Sequence, residues 1–502
     1  MDTLLKSVEL IADPLTLGVM LLAAVFGLFV GAIPGLTATM ATALLIPFTF
    51  FMDPVPAIAA IVTTVATAIF AGDIPGALLR IPGTPASAAY CDESYAMTKK
   101  GLGERALGIA LVTSVIGGLA GSIVLSLSSP MLAEFAIQFS SYEYFWLACL
   151  GLSCAVIIST GSTLKGFVSL FIGLFIATIG IDGTAGHPRY TFGSIELMGG
   201  VSFIPAMIGM FAISEVLRYV ASNRTVTKVP QSSGGGVFRG LGPILNKYRY
   251  NILRGSSIGA VVGILPGAGA DIAAWISYAI SKKRSRESEK FGTGHPEGLV
   301  DAGAANNASL AGAWVPAIVF GIPGDSITAI VIGVLYMKGM NPGPMVFIER
   351  PELIYSVFLA FFIANLALLP LGFGAIKLSR YILRIPRQVL MPIILIFCMV
   401  GAFAINNTVF GITVMLVLGI LAYLMEENGF PVAPAILGIV LGNMVEDNFM
   451  ASMIKADGDP LGFFSRPIAA TLGIVTILLW LAPLVAMIVR WRVGKTDQDS
   501  AS

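Results

Sequence analysis

Histidine, cysteine and charged residues are scarce in this 502-residue chain. It contains two histidines, four cysteines and only 12% charged residues. Both histidines, His187 and His295, lie in loop-like stretches rich in glycine and proline, so histidine catalysis and zinc binding are poorly supported. The cysteines lack the paired spacing of a disulfide framework. A formal net charge of +1 gives no indication of nucleic-acid binding.

The N-terminal segment lacks the features of a secretory signal. Residues 1–14 carry Lys6, Glu9 and Asp13, and they contain no short apolar core followed by a small-residue cleavage site. We therefore expect no removable signal peptide. We interpret residues 1–14 as a short interfacial segment.

Apolar residues are abundant, at 56% of the chain, and the mean hydropathy is +0.86. Crossing a hydrocarbon core of about 30 Å takes about 20 apolar residues. Runs of this kind recur, for example at residues 107–127, 357–376 and 468–489. The sequence predicts an all-α polytopic membrane protein with about 10–12 membrane segments.

An internal repeat divides the chain. The stretch FVGAIPGLTATMATALLIP from residue 29 shares a G-x-x-P-G motif in register with VVGILPGAGADIAAWISYA from residue 261. Two further pairs follow in the same order: IPG segments from residues 81 and 322, and GVSFIPAMIG from residue 200 with GFPVAPAILG from residue 429. We predict homologous halves at residues 15–222 and 252–466, joined by a polar Gly/Ser-rich linker at 223–251. Residues 467–502 are then a terminal transmembrane helix and cytoplasmic tail.

Basic residues in short loops mark the cytoplasmic side of a membrane protein. The second Pro-Gly segment has basic residues on both flanks, including Arg254 and Lys282, whereas the first has only Lys6 nearby. The two halves therefore predict opposite orientations, which is an inverted-topology repeat.

Proline and glycine interrupt the apolar segments at four repeat-related places, residues 31–35, 81–87, 263–269 and 322–328. Proline removes a helical donor and glycine permits turn geometry, so backbone groups are freed that must line protein or a wet cavity. We expect re-entrant hairpins with tips near Pro34 and Pro266, and simple helix kinks are the alternative. Inverted-repeat transporters bind ions and anions at such interruptions, and related folds suggest an elevator-type transporter.

Candidate binding residues lie beside the four interruptions. For a substrate they are Gly35, Thr37, Thr84, Pro85, Ser87, Asn306, Asn307, Ser326 and Thr328. For a cation such as Na⁺ they are Gly267, Gly269, Asp271, Asn307, Gly324 and Asp325, because freed carbonyls and side-chain oxygens suit a hard cation. Asp325 as a helix N-cap, Asp271 at a hairpin end and Asn307 as a purely interhelical contact are the alternatives. We predict no catalytic residue and no cofactor beyond Na⁺ or H⁺ as coupling ion.

Several long motifs resemble the large membrane subunit of the tripartite tricarboxylate transporter family, and the resemblance covers essentially the whole chain. They are GAIPGLTATMATALLIPFTF, RIPGTPASAAY, GILPGAGADIAAWISYA, FGTGHPEGLVDAGAANNASLAGAWVPAIVFGIPG and MKGMNPGPMVF, in the family's order. Two departures are Ala302-Gly303, where the family commonly has Pro-Glu, and YCDES at residues 90–94 in place of a blander stretch.

The resemblance implies a multi-pass permease of the bacterial inner membrane that imports tricarboxylates or related carboxylates with a Na⁺ or H⁺ gradient. It also implies two protein partners, a small membrane subunit and a periplasmic solute-binding protein. An ion channel or a membrane-embedded enzyme is the alternative function. A channel is expected to show a repeated pore-lining ring and a hydrolase a nucleophile with its base or a metal site, and the sequence shows neither pattern.

Overall fold

A computed structural model describes residues 2–158, 162–183, 185–221, 236–266, 269–383 and 387–481. The regular secondary structure of the described chain is helical apart from two short antiparallel strands, β1 (Gly180–Ile181) and β2 (Pro188–Arg189). The helices, in chain order, are α1 (Asp2–Ala12), α2 (Pro14–Ala32), α3 (Ala38–Phe50), α4 (Pro54–Ala71), α5 (Asp73–Leu79), α6 (Ala88–Lys99), α7 (Gly103–Ala136), α8 (Ser141–Ile158), α9 (Thr163–Ala177), α10 (Ile195–Met198), α11 (Phe203–Ile208), α12 (Ser214–Ala221), α13 (Leu241–Lys247), α14 (Arg249–Ile264), α15 (Gly269–Arg284), α16 (Pro296–Phe320), α17 (Ser326–Met337), α18 (Val346–Glu349), α19 (Pro351–Ile382), α20 (Arg387–Asn406), α21 (Val409–Glu427) and α22 (Val432–Lys455).

Short turns of other helix types complete the secondary structure. They are a π-helical turn at Gly209–Ile213 and 3₁₀ turns at Ser288–Lys290 and Pro460–Phe464. A further apolar helix covers Pro467–Leu481. The predicted terminal transmembrane helix begins there, and the remainder of that prediction lies outside the described residues.

Seven of the described helical segments are long and apolar enough to cross a membrane, and five shorter apolar helices accompany them. The runs predicted at residues 107–127 and 357–376 lie inside α7 and α19, which have 34 and 32 residues. The predicted all-α polytopic membrane fold is confirmed.

All four predicted interruptions are present as gaps between helices. Non-helical residues separate α2 from α3, α5 from α6, α14 from α15, and α16 from α17. Glycines with positive φ lie at three of them, Gly35 (+87°), Gly269 (+40°) and Gly321 (+68°), where an L side chain is disfavoured. These are therefore true breaks in helical hydrogen bonding rather than gentle kinks.

The chain forms two compact units, Met1–Ile137 with Ser202–Glu427, and Gln138–Val201 with Asn428–Ser502. Each unit draws chain from both predicted halves. The four interruptions all belong to the first unit. The inverted orientation of the halves stays a prediction.

At the centre of the first unit is α16, whose residues 298–319 are all buried. Glycines spaced four apart on α14 allow the two backbones to touch: a Cβ on Gly255 would lie 2.2 Å from the Asp301 carbonyl oxygen, and one on Gly259 would lie 2.3 Å from that of Ala305. Small residues at such spacing are a common means of close helix packing in membranes.

The first half repeats this interface between α2 and α4. A Cβ on Gly27 would lie 2.4 Å from the Thr64 carbonyl oxygen, and one on Gly31 would lie 2.5 Å from that of Ala68. Gly31 and Gly263 occupy the same position of the G-x-x-P-G motif, and Gly263 packs in the same way against Ser309 of α16. The sequence repeat therefore corresponds to a repeated helix-packing register.

The second unit is built on α8, α9 and α22. Gly173 of α9 and Ala435 of α22 meet backbone to backbone, since a Cβ on Gly173 would lie 1.9 Å from the Ala435 carbonyl oxygen. Arg189 of the small hairpin forms a bidentate ion pair with Glu446 of α22, at 2.6 and 3.0 Å. Bidentate geometry fixes the hairpin against that helix.

The predicted boundary segments contain local structure. Residues 2–12 of the predicted interfacial segment form α1, whose Ser7 donates to the Glu352 carbonyl at 3.0 Å. The predicted linker 223–251 includes α13 and the first turn of α14, while its residues 223–235 lie outside the described part of the chain.

Candidate functional site

Contacts in the first unit bring three of the four interruptions into one neighbourhood. A Cβ on Gly269 would lie 2.4 Å from the Asp325 Cβ and 2.7 Å from the Gly324 carbonyl oxygen, so the third and fourth interruptions touch. Trp275 of α15 donates its indole N–H to the Pro85 carbonyl in the second interruption, at 3.0 Å. Predicted residues from both halves thus lie close together.

The turn before α6 and the start of α17 contain equivalent reciprocal hydrogen bonds, which form a helix cap only on α17. In the turn that leads into α6 the Thr84 amide donates to Ser87 Oγ at 3.1 Å, and the Ser87 amide donates to Thr84 Oγ1 at 3.0 Å. At the start of α17 the Asp325 amide donates to Thr328 Oγ1 at 2.8 Å, and the Thr328 amide donates to Asp325 Oδ1 at 2.7 Å. Each pair of bonds joins the third and sixth residues beyond the isoleucine of IPG.

These two helix starts differ in charge. Asp325 places a carboxylate at the N-terminus of α17, where it offsets the positive end of the helix dipole. Thr84 and Ser87 are neutral, and the first turn of α6 contains no acidic residue. The N-terminus of α6 therefore keeps its attraction for an external anion, whereas that of α17 is neutralised within the protein.

The remaining predicted substrate residues take different positions. Thr37 caps α3, since the Met40 amide donates to its hydroxyl at 3.2 Å, and Gly35 supplies the turn before it. Pro85 is exposed and Ser326 is half-buried. The contacts above join the second, third and fourth interruptions, and Gly35 and Thr37 belong to the first.

Adjacent asparagines on α16 face different neighbours. Asn306 donates to the Tyr90 hydroxyl of α6 at 2.9 Å. Asn307 donates to the Ser114 carbonyl of α7 at 3.1 Å and to Asn365 Oδ1 of α19 at 3.0 Å, while its own buried Oδ1 has no hydrogen-bond partner. Asn307 therefore joins three helices, which is the interhelical role weighed as the alternative, and it retains one free acceptor.

Two predicted cation ligands cannot be placed. Gly267 and the side chain of Asp271 lie outside the described residues. Gly269, Gly324 and Asp325 do meet, as given above. Within the described residues no group of three or more His, Cys, Asp or Glu side chains is arranged to hold a metal ion.

Sequence reasoning missed a buried carboxylate, Asp73, at the start of α5. Its side chain is 3% exposed, and Tyr90 donates to its Oδ1 at 2.7 Å. Asn306, Tyr90 and Asp73 thus form one hydrogen-bonded chain across α16, α6 and α5. The available signal was a lone acidic residue inside an otherwise apolar run, which is costly in a membrane and usually functional.

A second missed carboxylate, Glu93, is fully buried and bound by a loop of the other half. The amides of Gly292, Gly294 and His295 donate to it, the last two at 2.7 and 2.8 Å, and Tyr278 of α15 donates at 2.9 Å. Gly292 and Gly294 have φ of +89° and +92°, which turns their amides toward one anion. The FGTGH loop is therefore a carboxylate-binding nest filled by the protein's own side chain.

An apolar cavity of about 430 Å³ lies beside the first interruption. Ile33 and Leu36 line it together with Leu390 and Phe397 of α20, and every lining residue is apolar. It offers no hydrogen-bond donor side chain for a carboxylate. The polar neighbourhood of the second, third and fourth interruptions is the candidate site instead.

The fold and this site define a polytopic membrane protein whose interrupted helices bring capped termini and buried polar side chains together. This combination is that of a membrane transport protein.

The chain belongs to the tripartite tricarboxylate transporter TctA family, whose model matches residues 17–437. This confirms the family predicted from the motifs, and it makes the chain a transporter component rather than an enzyme. A tripartite transporter implies further subunits.

Two proteins of Agrobacterium vitis are similar to this chain. An uncharacterized 52.8 kDa protein in the TAR-I ttuC′ 3′ region is 33% identical over 469 residues, which cover 91% of this chain and 92% of that protein. An uncharacterized protein in the TAR-II ttuC′ 3′ region is 36% identical over 230 residues, which cover 45% of this chain and 95% of that protein. No solved structure matches the chain.

Proposed function

We propose that this chain is the large permease subunit of a binding-protein-dependent secondary transporter that imports tricarboxylates or related carboxylates. A Na⁺ or H⁺ gradient drives it, and it works in the bacterial inner membrane with a small membrane subunit and a periplasmic solute-binding protein. Family membership supports the transporter class. The observation that carries the substrate charge is that the turn before α6 is neutral, while α17 in the same neighbourhood begins with a carboxylate cap.

The difference in charge between the two helix N-termini suggests that one binds the substrate and the other the cation. A substrate carboxylate binds at the N-terminus of α6, beside Thr84, Pro85 and Ser87, where amide dipoles attract an anion. A cation binds near Asp325 and the Gly324 carbonyl, where negative charge and a freed backbone oxygen meet. Transport follows when the part of the chain that bears the interruptions moves relative to the rest in elevator fashion.

Exchange of charge between the two helix starts tests this assignment. Thr84→Asp places a carboxylate at the position equivalent to Asp325, so the hydrogen bond from the Ser87 amide is kept while a negative charge faces the substrate. We expect carboxylate affinity, measured by titration calorimetry with citrate and succinate, to fall at least about tenfold through like-charge repulsion. Thr84→Asn, whose amide oxygen can accept the same hydrogen bond without charge, is the matched control.

The reciprocal variant tests the cation side. Asp325→Thr keeps a capping hydroxyl and removes the charge, so we expect a weaker dependence of binding on Na⁺ or H⁺ with carboxylate affinity retained at saturating cation. Equal carboxylate affinity in Thr84→Asp and Thr84→Asn contradicts the α6 site. An unchanged cation dependence in Asp325→Thr contradicts the cation site.

A further inference from the structure

Asp73 is a buried carboxyl group of the first unit with an incomplete set of hydrogen-bond partners. Its Oδ1 accepts one hydrogen bond, from Tyr90, and its buried Oδ2 has no partner. No lysine, arginine or histidine of the described residues forms an ion pair with it. A bare carboxylate in such a place is strongly disfavoured, so it requires a bound cation or proton.

The helices packed on α5 do not supply that cation. The neighbours α2 and α4 contain no titratable side chain. On α7 the terminal charges are engaged or exposed: Glu104 pairs with Lys377, Arg105 donates to the Gly240 carbonyl, and Glu134 is exposed. Compensation from a fixed basic partner is therefore absent among the described residues of these helices.

On α6 two titratable groups face Asp73. Tyr90 donates to it, and the Cys91 thiol donates to the Gly76 carbonyl at 3.4 Å. From α16 the polar group is the neutral Asn306, which donates to the Tyr90 oxygen at 2.9 Å. The chain of donors therefore runs from Asn306 through Tyr90 to Asp73 and ends at the carboxylate.

The direction of these hydrogen bonds favours a proton over a metal ion at Asp73. The Tyr90 oxygen already accepts from Asn306, and Asp73 is the single carboxylate of the cluster, so few oxygen lone pairs are left for Na⁺. The vacant Oδ2, in contrast, is where one proton binds. Asn306 in turn links this carboxylate to α16, the helix that leads into the fourth interruption.

We propose that Asp73, oriented by Tyr90 and Asn306, is the proton-binding site that couples carboxylate transport to the proton gradient. This rests on the proposed function and extends it by assigning proton coupling to a carboxylate distinct from the cation site near Asp325. The proton is taken up on Asp73 Oδ2 when the site is open to the proton-rich side, and it leaves from the same oxygen on the other side. No bond other than this O–H is made or broken.

One test uses proteoliposomes that contain the complete transporter, a pH-sensitive dye inside, and labelled citrate or succinate outside. Asp73→Asn copies the protonated side chain, so we expect downhill carboxylate uptake to continue while substrate-dependent proton influx is lost. Asp92→Asn, the same change at an exposed residue of α6 paired with Arg80, is the matched control and keeps the influx. Proton influx at the wild-type ratio in Asp73→Asn overturns the proposal, as does wild-type uptake coupled to Na⁺ alone.

A second variant covers the case in which Asp73→Asn does not fold. Tyr90→Phe keeps the carboxylate but removes the hydroxyl that donates to its charged form, so proton binding becomes easier. The pH profile of transport is then expected to shift to higher pH. An unmoved profile contradicts the assignment.

A spectroscopic measurement separates this inference from the proposed function. Infrared difference spectra of the purified chain, recorded around neutral pH where exposed carboxylates stay ionised, are expected to show the carbonyl band of a protonated carboxylic acid, present in Asp92→Asn and absent in Asp73→Asn. If no carboxylate is transported by the wild type, the proposed function fails while this band still decides the proton site. A band that persists in Asp73→Asn overturns the site.

Discussion

Replacing Glu93, whose carboxylate accepts hydrogen bonds from the FGTGH loop of the other half, is expected to lower the free energy of unfolding. Glu93 receives four hydrogen bonds, with Gly292 and Tyr278 on Oε1 and Gly294 and His295 on Oε2. Glu93→Gln keeps the shape but turns one oxygen into an amide NH₂, which cannot accept. Two donors therefore lose their acceptor.

The loss of stability depends on which Glu93 oxygen becomes the NH₂ group. If the NH₂ takes the Oε1 place, the Tyr278 hydroxyl can rotate and accept from it, so one amide is orphaned. If it takes the Oε2 place, two amides are orphaned. Hydrogen bonds to charged groups contribute about 1.5–3 kcal/mol each, so we expect the cheaper arrangement and a loss of about 2 kcal/mol in the free energy of unfolding.

Equilibrium unfolding of the purified protein by sodium dodecyl sulfate in mixed micelles measures this change. Asp92→Asn, next in sequence, removes an exposed ion pair with Arg80 and is expected to cost less than about 1 kcal/mol. Glu93→Ala orphans all four donors and is expected to exceed Glu93→Gln. The reasoning is refuted if Glu93→Gln is no more destabilising than Asp92→Asn.

Three further predictions concern a close helix contact, a buried ion pair and Asn307. Gly259→Val drives a side chain into a carbonyl of α16 and is expected to lower the free energy of unfolding by about 1–3 kcal/mol or more. Gly18→Ala, with nothing within 4 Å of the new Cβ, should raise it by about 0.5–1 kcal/mol. Similar unfolding midpoints for the two variants would contradict the close approach. Arg254→Met leaves buried Asp301 without its cation and is expected to cost about 3–5 kcal/mol, largely relieved by adding Asp301→Asn; no relief in the double variant would argue against an uncompensated charge. Asn307→Ala is expected to lower the free energy of unfolding by about 1–3 kcal/mol and to weaken the cation dependence of uptake; unchanged cation dependence would leave Asn307 with helix packing alone.

The helix breaks and their caps could be predicted from the sequence because their causes are local. Proline and glycine dictate where hydrogen bonding stops. Thr84 and Ser87 bond each other in a turn, and Asp325 and Thr328 cap α17, in both cases through contacts three residues apart. The glycine spacing of α2 and α14 likewise indicates close packing. The glycine spacing does not indicate which helix packs against each of them.

The buried carboxylates could not be assigned in advance because their partners are distant in the chain. The Asn306–Tyr90 contact joins residues 216 apart, and the Glu93 contacts join residues 185 to 202 apart. The YCDES stretch stood out only as a departure from the family motif. Tertiary structure shows that it supplies both Tyr90 and Glu93 to contacts between the two halves.

Uptake of labelled carboxylate against its own gradient tests the central claim most directly. Proteoliposomes that contain this chain, its small membrane subunit and the solute-binding protein are expected to accumulate citrate or a related carboxylate when an inward Na⁺ or H⁺ gradient is imposed, and to stop when the gradient is collapsed. Entry that never exceeds the outside concentration under any imposed cation gradient would contradict a secondary transporter and indicate a channel.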